Sequence, residues 1–99
     1  MDKETNNESK SIGVTLVVYA MYITIDGKDQ LLRSETIHGY ANSEDAINYM
    51  DLLEETYRGL REKDLTIDRV SDEKLTIRYL EKGQHYMSDY HTKTTQIYY

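Results

Sequence analysis

From Ile12 to Ile25 the chain is one long candidate strand, apolar on both of its faces. The run is rich in Val, Ile, Tyr and Thr, side chains that suit a pleated surface. Leu16, Val18, Ala20 and Tyr22 alternate with Val17, Tyr19, Met21 and Ile23, and successive residues of a strand point to opposite sides. One helix covers only one side of a small sheet. The other side must meet the sheet's own twist, a long loop or a second molecule. Left bare, it would expose an apolar patch near the upper limit for a soluble monomer. The strand therefore predicts a homodimer, with Tyr19 and Met21 as candidate contacts.

Asp26-Gly27 ends this run, the dipeptide that best supplies positive φ for a tight hairpin. A return strand passes through Leu31, Leu32 and Ile37 towards His38-Gly39-Tyr40, with His38 read as a turn residue. Ser43 is the expected N-cap of a helix, and Glu44 and Asp45 complement its positive end. Ala46, Met50, Leu53, Tyr57 and Leu60 then recur at steps of four and three, which places them on one helical stripe. Gly59 weakens the last turn, so the helix should fray between Arg58 and Lys63. Leu65-Thr66-Ile67 and Leu75-Thr76-Ile77 predict two short strands around the turn Ser71-Asp72-Glu73. Glu81-Lys82-Gly83-Gln84 predicts another turn, and His85 to Tyr99 an exposed edge strand or loosely held tail. Residues 1–11 are polar and expected to be a disordered tail, leaving 12–99 as a single domain. The expected class is α+β: an antiparallel sheet of about five strands with one helix packed on it, in the order β-β-α-β-β-β.

Composition narrows the function. There are 18 Asp and Glu against 12 Lys and Arg, a formal charge of −6. Such a chain is repelled by phosphate backbones and anionic membranes, so neither nucleic acid nor a membrane is an expected direct partner. Cysteine is absent, which excludes disulfides, thiolate catalysis and Cys-ligated zinc. Met1 to Lys10 has no apolar core of the kind a secretory signal needs, so the expected location is the cytoplasm. There is no Phe, Trp or Pro, yet ten Tyr, so Tyr must supply every large aromatic surface. Its rigid, amphipathic ring is also favoured where proteins grip one another.

The helix carries the most informative surface. Glu44, Asp51, Glu55 and Glu62 are spaced by seven, four and seven residues. At roughly 100° per residue they fall within about 20° of one line, opposite the apolar stripe. With Asp45 and Glu54 they make six acids against Arg58 and Arg61, four of the six net negative charges. Asp51 and Glu55 repel each other, a local cost that points to a use. An acidic ridge on a rigid rod fits a groove built for phosphates. The alternative is a solvated helix face.

One further constellation is His85, Asp89 and His91, which share a face of the last strand by its period of two. Imidazoles and a carboxylate serve metal binding or acid–base chemistry. Four strand residues nevertheless separate His85 from Asp89 by about 13 Å, too far to share an ion. No metal or cofactor is expected. There is no phosphate-cradling glycine loop and no nucleophile elbow.

In size, acidity, Tyr content and lack of catalytic motifs, the chain resembles the small proteins that phages and mobile elements use to block host enzymes. Some of those imitate DNA with carboxylates. The resemblance is one of type and transfers no residues. It implies a non-catalytic inhibitor or regulator of a host protein that handles nucleic acid. The candidate contacts are Glu44, Asp51, Glu54, Glu55, Glu62, Tyr19 and Met21. The alternative is a small ligand-binding or enzymatic domain using His85–His91 or a cleft between helix and sheet.

Overall fold

In the computed structural model, which describes residues 11–60 and 64–98, β1 (Ser11–Ile25) turns back at Asp26-Gly27 into β2 (Lys28–Tyr40). Both turn residues have positive φ, 54° and 77°, the geometry whose twist matches that of the flanking strands. The helix α1 (Ser43–Gly59) follows, then β3 (Leu65–Ser71), β4 (Lys74–Glu81) and β5 (Gln84–Tyr98). This is the expected β-β-α-β-β-β, α+β order. The strands form one antiparallel sheet in the order β2-β1-β5-β4-β3. Among the described residues, no helix is long and apolar enough to cross a membrane.

Several expectations need correction. The expected tail, residues 1–11, falls outside the described residues except for Ser11, which is already in β1 and pairs with Tyr98. The helix is capped by Asn42, not Ser43: Asn42 is extended, and its side chain accepts the Asp45 N–H at 2.9 Å. Both residue types cap well, and the chain turns helical one residue earlier than Ser43 implies. His38 is no turn residue but lies within β2.

The largest correction concerns β5. It is neither an edge nor a tail, but the central strand of the sheet. Its ladder with β1 is unbroken from Ser11↔Tyr98 to Thr24↔His85, and β4 holds its other side. The cause is topological. After β2, the helix carries the chain across the sheet to the far edge, so β3 and β4 build inwards and β5 fills the gap beside β1. Its threonines, polar by composition, are β-branched and suit a central strand. The true edges are β2 and β3. β2 carries two bulges, opposite Val17/Val18 and Met21/Tyr22, which bend and blunt that edge.

The helix covers the face of β1 that bears Val17, Tyr19 and Met21. Val17, Ala46, Met50, Leu75 and Ile77 are fully buried there, with Tyr90 beside them. Leu53 and Tyr57 are half-buried on the same stripe, whereas Leu60, the C-cap, is exposed. Tyrosine does take the place of larger aromatics: Tyr90 packs on Tyr19 and Tyr57, and its hydroxyl lies 2.7 Å from that of Tyr57. Burial, and then the Tyr57 bond, push the Tyr90 phenol well above its usual range.

Among the described residues no helix lies on the opposite face, which is partly closed by curvature. Arg78 of β4 meets Asp29 of β2 at 3.5 Å, although three strand spacings separate β2 from β4, roughly 14 Å on a flat sheet. The sheet must therefore curl towards this face. Ala20 is only 4% exposed on it, with no element packed above among the described residues.

Candidate interaction surfaces

The outer surface of α1 is set by its period. With Ala46 and Met50 turned to the sheet, Glu44, Asn48, Asp51, Leu52, Glu55 and Thr56 are turned to solvent and exposed. Leu52 is 58% exposed, next to Asp51 and one turn before Glu55. Glu44 and Glu55 therefore stand as the sequence places them. Glu62 lies outside the described residues.

Asp51 and Glu54 have a different situation. Arg69 of β3 points inwards, 14% exposed; its Nη1 is ion-paired with Asp51 Oδ1 at 2.8 Å and donates to Glu54 Oε1 at 3.0 Å. Its Nε and Nη2 donate to the carbonyls of Ser71 and Asp72 at 2.7 and 2.9 Å. Arg58 adds a second cation 2.8 Å from Glu54. The Arg58 bond, and behind it Arg69, hold the Glu54 carboxyl below the usual carboxylate range against partial burial. Two of the four described candidate carboxylates of α1, Asp51 and Glu54, thus form a clamp that fixes helix to sheet. Sequence reasoning missed Arg69, although the alternation Leu65, Ile67, Arg69 signals an inward position.

Tyr19 is on the helix-covered face. Its ring lies 5.0 Å from that of Tyr90, and its hydroxyl is 3.3 Å from Ser88 Oγ. Met21, half-buried, follows on the same face. A contact through the uncovered face of β1 would instead use Leu16, Val18 and Tyr22.

His85, Asp89 and His91 do share one face of β5, the uncovered one. The strand is regular there, so the six residue steps from His85 to His91 span roughly 20 Å. Asp89, between them, has a side chain 13% exposed, with Lys74 Nζ 4.0 Å from Oδ2. Its Oδ1 is buried without a hydrogen-bond partner among the described residues. Among the described residues, no three His, Asp or Glu side chains converge as a metal site. His38 stacks against Tyr40 and meets Tyr49 at a tilt, with ring centroids 5.5 and 4.7 Å away.

Comparison with known proteins returns no matching family model, no matching curated protein and no matching solved structure. The geometry of the chain alone carries its functional reading.

Proposed function

We propose that the protein is a non-catalytic binding protein that acts through the outer face of α1, as an acidic inhibitor or regulator of a protein that handles nucleic acid. The observation that carries this reading is the exposed Leu52 beside Asp51 and one turn before Glu55, with Glu44 two turns nearer the start of the helix. An apolar anchor beside exposed carboxylates suits a partner with an apolar pocket next to Lys and Arg side chains. The Arg69 clamp supports the reading, because a surface held rigid loses less entropy when it binds.

The test is co-purification from a lysate of the source organism, followed by measured affinities. Wild type should retain a stoichiometric basic protein, with binding that weakens at least tenfold between low and high salt. Changing Glu44 and Glu55 together to Lys should abolish binding, and Leu52→Ala should weaken it. Asp51 is the poorer choice for reversal, since a lysine there would face Arg69. Full binding by the double variant would end the proposal. The homodimer is part of the same proposal, and the uncovered face directs its test to Tyr22→Lys, read by sedimentation.

A further inference from the structure

Past the last turn of α1, a cleft of about 400 Å³ opens between helix and sheet. Its walls are the side chains of Tyr19, Tyr57 and Tyr79, with Ser88 among them and Asp64 and Glu81 also in its lining. Leucines complete the lining, and no Lys, Arg or His is part of it among the described residues. We propose that this cleft is a binding site for a small organic cation, an alkyl- or arylammonium.

Four features agree on the sign of the ligand. Aromatic rings present negative faces, and tyrosine is a good partner for an ammonium group. Tyr19 already serves a cation, since the Arg33 guanidinium lies 5.7 Å from its ring centroid. Asp64 and Glu81 add formal negative charge. The C-terminal end of α1, whose Tyr57 carbonyl accepts the Leu60 N–H, adds the negative end of the helix dipole. The polar groups inside are hydroxyls: Ser88 Oγ lies 3.3 Å from the Tyr19 hydroxyl, and Tyr79 lines the cleft with them. Burial holds Tyr79 above its ordinary range, so its phenol stays neutral. The carboxylates and the helix end disfavour an anion, and a neutral ligand would forgo the charge attraction that they offer a cation. The volume suits a small molecule. This site is separate from the outer face of α1, so neither proposal depends on the other.

The probe pair is choline and its uncharged isostere 3,3-dimethyl-1-butanol, which differ only in charge. Each is titrated into the full chain carrying ring-labelled tyrosine, with chemical shifts followed by NMR. Choline should give saturable shifts at Tyr57 and Tyr79, with the alcohol at least tenfold weaker. Glu81→Gln, at an exposed position, should weaken choline at least threefold without affecting folding. Tyr79→Leu should weaken it further, and Tyr22→Leu on the opposite face should change nothing. A variant with Arg61 and Lys63 both changed to Ser is run beside wild type. Choline binding to that variant alone would mean that the chain's own cations compete for the cleft, and would overturn the proposal. Equal binding of both probes, no saturation, or shifts confined to other tyrosines would overturn it as well.

Discussion

Replacing Arg69 by Met tests the clamp between α1 and β3, because it keeps an apolar stem and removes the guanidinium. The group is 14% exposed and makes four contacts, to Asp51, Glu54 and the carbonyls of Ser71 and Asp72. Asp51 is 61% exposed, so its bond is screened and contributes a few tenths of a kcal/mol at most. Glu54 is 23% exposed, and a charged hydrogen bond at such a site contributes about 1.5–3 kcal/mol. The two carbonyls sit at an exposed turn, where water replaces the lost donor at little cost. The expected loss is about 2–3 kcal/mol, or roughly 10–20 °C in Tm for a chain of this size. Urea unfolding followed by circular dichroism measures it. Arg69→Lys, which keeps the charge and loses the fork, should fall between wild type and Met. The pH dependence supplies the sign. Glu54 is held below its ordinary value of 4.5, by Arg58 first and then Arg69. Its contribution is therefore present above that pH and disappears as pH falls through the lowered value. The gap between wild type and Met should narrow in acid. A loss below about 0.5 kcal/mol at neutral pH, or a gap that persists when the carboxylates are protonated, would refute the clamp.

Two further outcomes follow from burial. Met50 is fully buried where the helix meets the sheet; Met50→Ala should cost about 3 kcal/mol in urea unfolding with an unchanged m-value, and a cost below about 1 kcal/mol would show a loosely packed core. Asp89 keeps a buried oxygen without a partner among the described residues, so Asp89→Asn should leave Tm equal or raise it in a thermal melt. A clear fall would show that the charge itself is held by a partner.

Those features of the fold that depend on neighbours in sequence were legible. Asp26-Gly27 and Lys82-Gly83 form their turns, and Ala46, Met50, Leu53 and Tyr57 face the sheet. The place of β5 was not, because it depends on where the helix returns the chain, and no residue within 84–98 records that. The choice of face on β1 was hidden for a similar reason. Val17-Tyr19 and Leu16-Val18 alternate identically, and the decision falls to the inward side chains of other strands, Leu75, Ile77 and Tyr90. The carboxylates of α1 were legible as a row, but not their division into the exposed pair Glu44 and Glu55 and the pair bound by Arg69. That division needs the direction in which α1 crosses β3.

The seam between β1 and β5 has a consequence for how the fold is reached. Every other pairing in the sheet joins consecutive strands: β1 with β2, β3 with β4, β4 with β5. These can close locally, as one hairpin and one three-stranded meander. The β1–β5 ladder instead joins residues 61 to 87 positions apart, and closing so long a loop must precede any reward from its contacts. The two halves thus meet late, along one line, with the helix as tether. Until residues 84–98 have left the ribosome, β1 has a bare edge, apolar on both faces. During synthesis that edge is the part of the chain most exposed to wrong pairing.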